Sequence, residues 1–282
     1  MKTRATDGHR SAPGGTSRVK LKRVTGKESE LLNDLVVSER PVTIVFNDTE
    51  LATLMCSPMD LDCLAIGFLF SEGLVRNKKD VKKMVVDEKD GVVWVETRTG
   101  QEPPEDVIAR RYITTGCGKG FTFVDAAKSG KTLRISSRLS VRIGALQALT
   151  KESLLRSTLF RTTGGTHSAA LCNSRNILVF MEDIGRHNAI DKVIGDCMLK
   201  GVRTKDKILV TSGRVSSEIL IKAARSQIPV LVSKSAPTDL AIRLAKEIGI
   251  ALIGFSRGSR MNIYSNESRV LSKTDASVNR RR

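Results

Sequence analysis

The fold is decided by four apolar runs: ILVFM at residues 177–181, ILV at 208–210, PVLV at 229–232 and IALIGF at 250–255. Each run has the length and composition of a buried strand, and a segment with helical spacing of apolar residues follows each of the first three. Strands that alternate with helices predict an α/β fold, in which right-handed crossovers join the strands of a parallel sheet.

The residues that follow these runs predict a binding site. In an open parallel sheet, ligands bind in the crevice outside the carboxyl ends of the strands. The residues at these ends are small, polar or charged, and cations outnumber acids: Glu182, Asp183, Arg186, His187, Ser212, Gly213, Arg214, Ser233, Lys234, Ser235, Ser256, Arg257 and Arg260. This composition indicates a site for a large anionic ligand.

The net charge of +17 over 282 residues is concentrated at the two ends of the chain. Residues 1–23 contain seven Lys or Arg and one Asp, and residues 269–282 contain five Lys or Arg and one Asp. Both segments are poor in apolar residues, so we expect basic, flexible tails. Because the charge lies mainly there, and aromatic residues make up only 4% of the chain, a nucleic-acid-binding surface is not favoured.

Composition also predicts the compartment. A hydrophobic fraction of 40% is typical of a globular protein, and no apolar run approaches the length that spans a membrane. The amino terminus has no apolar stretch of the kind found in secretory signals. The five cysteines form no CxxC pair or disulfide pattern, so we expect a cytoplasmic protein with reduced thiols and no membrane association.

The first half of the chain is predicted to be rich in β-structure. Residues 41–46 and 50–55 read as a hairpin, and residues 81–87 and 92–98 as a second. Between the hairpins, Ser57 and Pro58 are expected to open a helix that Gly73 ends. A further helix is expected over residues 140–156, with Leu154 and Leu155 among its inward residues.

One cysteine differs from the other four. Cys117 lies in the glycine-rich stretch TTGCGKG at residues 114–120, outside any segment with regularly spaced apolar residues. Flanking glycines leave a sulfur uncovered, and a neighbouring ammonium such as that of Lys119 favours the nucleophilic thiolate. Cys117 is therefore a candidate nucleophile, and a cysteine in a turn without a chemical role is the alternative.

Two histidines lie near expected strand ends. His167 lies in TTGGTHSAA at residues 162–170, where two glycines indicate the start of a helix that could bind phosphate. His187 follows a strand end close to Asp183, a place typical of a structural or orienting hydrogen bond. The zinc pattern H-x-E with P-C-x-x-C is absent, so no permanently bound metal is expected.

Two loops carry groups that bind anions. TSGRVSSE at residues 211–218 contains Arg214, whose guanidinium can bind an oxyanion through two N–H groups. FSRGSR at residues 255–260 combines an aromatic ring, two arginines and a glycine that permits close approach. These parts suit a base or pterin and its phosphates. For the loop at residues 211–218 taken alone, a solvated arginine beside a capped helix is the alternative.

Six longer motifs together resemble the FdhD family, the formate dehydrogenase accessory sulfurtransferases. The resemblance extends from about residue 38 to 265. The motifs are CSPMDLDCLAIGFLFSEG at 56–73, TGGTHSAALC at 163–172, EDIGRHNAIDKVIG at 182–195, TSGRVSSEILIKAA at 211–224, SKSAPTDLAIRLA at 233–245 and GFSRGSRMNIY at 254–264.

The residue patterns divide the chain into four parts, and the resemblance implies the fold type of the third. Residues 1–23 are expected to be a basic flexible tail, and residues 24–137 a β-rich amino-terminal subdomain that carries the Cys117 loop. Residues 138–268 are expected to form a cytidine-deaminase-like three-layer α/β domain, followed by a second basic tail over residues 269–282. Members of the family form dimers, so a homodimer is expected.

The resemblance also implies a function. A family member receives sulfur from a cysteine desulfurase as a cysteine persulfide. It passes the sulfur to molybdenum bis(molybdopterin guanine dinucleotide) before that cofactor enters formate dehydrogenase. Cys117 corresponds to the persulfide-bearing cysteine, but Gly120 replaces the second loop cysteine of the family. The residues that correspond to the cofactor-binding segment are Phe255, Ser256, Arg257, Gly258, Ser259 and Arg260.

Two other functions remain open from the sequence. The protein could be a guanine-nucleotide or cofactor-binding chaperone without chemistry, in which Cys117 is incidental. It could also be a nucleic-acid binder or base deaminase, although the zinc pattern is missing. A transfer assay with Cys117 replaced separates the first from a sulfur carrier, and salt-dependent DNA binding tests the second.

Overall fold

The computed structural model describes residues 14–104, 112–113 and 133–272. Within them, fifteen strands form four sheets, and there are six α-helices. In chain order they are β1 (Thr16–Thr25), β2 (Glu28–Val37), β3 (Arg40–Phe46), β4 (Thr49–Cys56), α1 (Leu61–Glu72), β5 (Val81–Asp87), β6 (Val92–Thr97), β7 (Tyr112–Ile113), β8 (Val141–Arg142), α2 (Ile143–Arg156), α3 (Thr158–Thr163), β9 (His167–Cys172), β10 (Ile177–Asp183), α4 (Arg186–Lys200), β11 (Ile208–Thr211), α5 (Ser217–Arg225), β12 (Val230–Ser233), α6 (Asp239–Ile248), β13 (Ala251–Arg257), β14 (Arg260–Ser265) and β15 (Val270–Leu271).

The main sheet has six strands in the order β10-β9-β11-β12-β13-β14. The predicted parallel pairing is confirmed for β11, β12 and β13. β9 runs antiparallel to both β10 and β11, and β14 runs antiparallel to β13, so the sheet is mixed. All four strands predicted from the apolar runs therefore point in one direction.

The segment that begins with His167 is a strand, and the expectation of a helix start there is wrong. Gly164 has a φ of 70° and caps the carboxyl end of α3, so this glycine ends one helix and does not introduce another. The next residues, from Ser168 to Cys172, are all buried. A short run buried on both faces is typical of a central strand.

Helices cover both faces of the main sheet, as the α/β prediction required. α2 packs on one face, where Leu146 and Leu149 join the apolar core. α4, α5 and α6 cover the other face. Leu154 and Leu155 were expected to point inward, but their exposed fractions are 39% and 56%. Among the described residues no helix has the length and apolar character needed to cross a bilayer.

A second sheet of five strands forms most of the amino-terminal part, in the order β5-β6-β3-β4-β7. Both predicted hairpins are present, and α1 packs against this sheet through a separate apolar core. Helix α1 begins later than expected, with Asp60 as its N-cap. Ser57 does not cap it, because the Ser57 hydroxyl accepts a hydrogen bond from the Ile184 N–H.

The amino-terminal boundary also differs from the prediction. The structure starts a hairpin, β1–β2, at Thr16, inside the segment that was expected to be a flexible tail. In VKLKRV, at residues 19–24, apolar and basic residues alternate over the first four positions, and this alternation suits a strand more than the overall charge suggests. The hairpin base is anchored by a hydrogen bond of 2.8 Å between the hydroxyls of Ser17 and Ser38.

Helices α1 and α4 cross at backbone contact distance, which joins the amino-terminal sheet to the main sheet. A Cβ at Gly67 would overlap the carbonyl oxygen of Asp191, and a Cβ at Gly195 would overlap that of Cys63. Each glycine therefore faces the backbone of the other helix. Larger side chains at these two positions would force the helices apart.

A buried ion pair strengthens the same junction. The Lys192 ammonium lies 2.8 Å from the Asp183 carboxylate, and both side chains are fully buried. The Asp183 carboxylate also accepts the backbone N–H of Ser57, and Lys192 donates to the Ser57 carbonyl. The loop after β4 is therefore bound to the carboxyl end of β10.

We expect Gly67→Ala to lower the free energy of unfolding by about 3 kcal/mol, because the methyl group meets backbone that cannot rotate away. Gly144→Ala in α2 is the matched control. A Cβ there meets nothing within 4 Å, so this helix substitution should be neutral or stabilise by up to about 1 kcal/mol. Chemical denaturation measures both, and equal stabilities would contradict the crossing described here.

We expect Lys192→Met to lower the free energy of unfolding by about 3–5 kcal/mol, because it leaves the Asp183 charge buried without its partner. The control is Lys82→Met, which removes an exposed ion pair with Glu96 and should cost less than about 1 kcal/mol. Urea denaturation of both variants gives the comparison. A small loss for Lys192→Met would show that the junction does not depend on this pair.

Candidate functional site

The carboxyl ends of β10, β11, β12 and β13 meet at one edge of the main sheet, as the sequence predicted. His167 also lies at this edge, because β9 runs in the opposite direction and begins there. His167 pairs with Asp183 in register, and Ala169 pairs with Thr211. The edge therefore collects residues from five neighbouring strands.

Two adjoining cavities occupy this edge. The first has a volume of about 360 Å³ and the second about 450 Å³, and Leu154, Lys234 and Arg257 line both. The first is also lined by Ser157, Phe160, Gly164, Gly165, Thr166, His167, Ser168, Ile184, Ser212 and Ser235. The second is also lined by Gln147, Ala148, Thr150, Lys151, Ser256 and Gly258. We call the two cavities together the crevice.

The FSRGSR segment forms the β13–β14 hairpin at the rim of the crevice. Phe255 has a φ of 51° and lies in a β-bulge, and Gly258 has a φ of 59° in the turn. A Cβ at Gly258 would meet no atom within 4 Å, so this glycine serves the turn and not a close approach. Two hydrogen bonds anchor the hairpin to α2, from Gln147 to the Ser259 carbonyl and between the Ser256 and Thr150 hydroxyls.

The hairpin brings only part of its predicted residues to the crevice. Ser256, Arg257 and Gly258 line the cavities, whereas Phe255, Ser259 and Arg260 line neither. The aromatic ring at the crevice belongs to Phe160 in α3, which the sequence analysis missed. Its only signal was an aromatic residue in the largely polar segment TLFRTT at 158–163, and the Phe160 side chain is 39% exposed.

Two cations lie where the cavities join. The Arg257 Nε donates to the Lys234 carbonyl at 3.2 Å, which fixes the guanidinium and leaves its terminal nitrogens for other contacts. Lys234 follows β12, and its backbone N–H donates to the Thr211 carbonyl. Lys151 adds a third cation in the second cavity. These groups suit the phosphates of a ligand that extends through both cavities.

His167 is held at the first cavity by Ser212. Its Nδ1 lies 3.3 Å from the Ser212 hydroxyl oxygen, which also accepts the Ser168 N–H at 2.9 Å. Burial lowers the pKa of His167 below its ordinary value, and the charges of Arg186 and Arg214 lower it further, against the opposing effect of Asp183. His167 is therefore a neutral imidazole at pH 7.

The other predicted polar residues lie near the crevice without lining it. Nε2 of His187 is 3.7 Å from the Glu218 carboxylate. The contact is not an ion pair at neutral pH, because burial, followed by the charge of Lys222, lowers the pKa of His187 to about 3. Arg214 is exposed and acts on His167 through its charge.

The two acids at the end of β10 are structural. Asp183 forms the buried ion pair with Lys192 described above. Glu182 accepts the backbone N–H groups of Leu159 and Phe160 at the start of α3, and the Thr166 hydroxyl. Glu182 thereby positions the helix that carries Phe160 at the first cavity.

Cys117 lies outside the described residues. The four described cysteines are all buried. Burial raises the pKa of Cys56, Cys172 and Cys197 to about 12, so these thiols stay protonated and unreactive at neutral pH. The pKa of Cys63 is also raised by burial and then by the charges of Asp62 and Asp196.

The sequence and the fold both have close relatives. Residues 37–271 match the sequence profile of the FdhD/NarQ family. The sulfur carrier protein FdhD of Geobacillus kaustophilus is 45% identical over 240 residues, which cover 84% of this chain and 90% of that protein. The sulfur carrier protein FdhD of Bacillus subtilis is 41% identical over 245 residues, which cover 86% of this chain and 93% of that protein.

One solved structure supports the fold. It is a Desulfotalea psychrophila protein assigned as a formate dehydrogenase accessory protein, with a TM-score of 0.74 and 24% identity. The match covers 92% of this chain and 100% of that one, so the α/β arrangement is shared along nearly the whole length. With the profile match and the two curated relatives, these observations establish that the chain belongs to the FdhD/NarQ family.

Proposed function

We propose that this protein is a sulfur carrier that serves formate dehydrogenase. It accepts sulfur on Cys117 from a cysteine desulfurase and delivers it to molybdenum bis(molybdopterin guanine dinucleotide), which is bound as a substrate. The observation that carries the proposal is the cationic crevice, two cavities joined at Lys234 and Arg257 in a member of the FdhD/NarQ family.

The shape of the crevice supports a dinucleotide ligand. Such a ligand has a ring system at each end and phosphates between, and the crevice has a cavity at each end and cations between. Guanidinium and ammonium groups bind phosphate oxygens through charge-assisted hydrogen bonds. Phe160 offers a partly exposed ring to one end of the ligand, the stacking role that the sequence assigned to Phe255.

Chain connectivity supports a role for Cys117 at this crevice. Strand β7 pairs in parallel with β4, with Ile113 opposite Leu54, so β7 runs in the direction of the end of β4 at Cys56. Ser57 is the residue that follows β4, and its hydroxyl accepts a hydrogen bond from the N–H of Ile184. Ile184 lines the first cavity. Cys117 is four residues beyond Ile113, and four residues span at most about 14 Å.

The loading step needs one thiolate and no change in oxidation level. The Cys117 thiolate attacks the outer sulfur of the donor's persulfide, and the sulfur–sulfur bond of the donor breaks. The donor cysteine leaves as a thiolate, and Cys117 becomes a persulfide. This step requires a single cysteine, so Gly120 in place of a second loop cysteine does not prevent it.

The same proposal includes the remaining expectations from the family resemblance. The protein acts in the cytoplasm as a homodimer, and its carboxyl-terminal unit is of cytidine deaminase type. The helices on both faces of the main sheet support a three-layer unit of this kind. The carried sulfur reaches formate dehydrogenase with the cofactor.

A chaperone that binds guanine nucleotides or the cofactor without chemistry is the second candidate. One observation favours it: the described lining of the two cavities already supplies cations for phosphates and an aromatic ring for stacking, without any reactive group. In that case the crevice alone would account for the function. Replacement of Cys117 separates the two candidates.

We expect the intact protein to gain one sulfur atom after incubation with a cysteine desulfurase and cysteine, and Cys117→Ala to gain none. Cys197→Ala is the control, because its buried thiol has a pKa of about 12 and forms little thiolate. Intact-mass spectrometry, with and without a reductant that removes persulfide sulfur, reads the result. A sulfur gain that survives Cys117→Ala would exclude Cys117 as the carrier.

We expect Arg257→Gln to weaken GDP binding about tenfold or more, because the substitution removes a charge-assisted bond to phosphate. The control is Arg243→Gln, which removes the same charge from α6 at a position that lines neither cavity. Isothermal titration calorimetry gives both affinities. An equal loss in the two variants would mean that GDP responds to net charge and not to the crevice.

A further inference from the structure

The hydrogen bonds of Ser212 beside His167, at the first cavity, indicate which ring nitrogen of this histidine carries the hydrogen. The Ser212 hydroxyl oxygen accepts the Ser168 N–H at 2.9 Å, and the Ser212 N–H donates to the Ser168 carbonyl at 3.0 Å. Ser212 is therefore fixed by the backbone of β9. Among the described residues, Nδ1 of His167 is the acceptor that the geometry offers to its hydroxyl hydrogen.

With Nδ1 as the acceptor of the Ser212 hydroxyl hydrogen, one tautomer of His167 is favoured. An Nδ1 that accepts a hydrogen bond carries no hydrogen, and a neutral imidazole then carries its hydrogen on Nε2. The imidazole is neutral because burial, Arg186 on α4 and Arg214 after β11 all disfavour a second proton, while Asp183 on β10 opposes them only in part. His167 thus presents an uncharged N–H donor.

The rest of the first cavity is uncharged as well. Apart from Lys234 and Arg257, which both cavities share, its described lining consists of neutral polar and apolar residues. Phe160, Ile184 and Leu154 supply apolar surface, and Ser235 and Thr166 supply short polar groups. Apolar walls with a few directed polar groups are typical of a site for a flat organic ring.

We propose that the first cavity binds an uncharged heterocyclic ring, and that His167 donates a hydrogen bond from Nε2 to a carbonyl oxygen or ring nitrogen of that ring. The inference rests on the proposed function, which supplies guanine and pterin rings as ligands. It adds a division of the crevice: His167 recognises the ring, and Lys234 and Arg257 bind the phosphates.

The tautomer is tested first, without a ligand. The chain contains three histidines, His9, His167 and His187, so nitrogen-15 NMR of imidazole-labelled protein gives few signals, and His167→Gln assigns the relevant one. We expect a neutral His167 with hydrogen on Nε2 at pH 7. Hydrogen on Nδ1, or on both nitrogens, would overturn the inference.

Binding is tested with two probes in the full-length protein, GDP and inorganic pyrophosphate, which lacks the ring. His167→Gln places an amide N–H near the position of Nε2, whereas His167→Asn places it near Nδ1. We expect His167→Asn to weaken GDP binding about tenfold and His167→Gln to stay within about threefold of wild type. Pyrophosphate affinity should not change in either variant.

The outcomes separate this inference from the proposed function. Equal GDP affinity of wild type and His167→Asn, or parallel losses for GDP and pyrophosphate, would overturn the role of His167 and leave the carrier function standing. Failure of the wild-type protein to bind GDP would overturn the proposed ligand and ring recognition with it. Failure of the wild-type protein to gain sulfur in the mass-spectrometry experiment would overturn the carrier function and leave ring recognition by His167 standing.

Discussion

The buried carboxylate of Asp183 is the interaction on which the rest of the site depends. It accepts hydrogen bonds from the backbone of Ser57 and Gly185 and from the side chains of Asn188 and Lys192. Burying two charges costs more free energy than a simple ion pair returns, unless the remaining lone pairs are satisfied. The lone pairs of the Asp183 carboxylate are satisfied here, and the donors come from both the amino-terminal part and the main-sheet part of the chain. These hydrogen bonds therefore hold the end of β4 against the sheet edge that carries the crevice. Strand β7 pairs with β4 beside this point.

The cations of the crevice come from separate elements of the structure. Arg257 lies at the rim of a hairpin and Lys234 follows a different strand, and the Arg257 guanidinium donates a hydrogen bond to the Lys234 backbone carbonyl. His167 adds a donor without a charge, because burial and two arginines keep it neutral. In the proposed function, the two cations shared by the cavities bind phosphates, and the neutral groups that line the rest of the first cavity bind a ring.

Local patterns predicted much of the fold. The apolar runs and both amino-terminal hairpins are where the sequence indicated, because period and turn residues act over a few positions. The exceptions arose where a local signal had two interpretations. Gly164 and Gly165 suggested the start of a helix, but Gly164 caps the end of α3, and the residues after His167 are buried between two strands. The alternating pattern near Val19 was hidden by the charge of the segment.

By itself the sequence determined the α/β class, the shared edge of the strand ends, the family and the distinct character of Cys117, because spacing and residue chemistry carry that information. Only the tertiary structure decided which side chains meet. It brought Phe160 to the first cavity through the hydrogen bonds of Glu182, and it left Phe255 outside through a bulge. It also made Asp183 a structural anchor and lowered the pKa of His167 through burial. Those outcomes depend on contacts between residues far apart in the chain, and such contacts leave no periodic signal in the sequence.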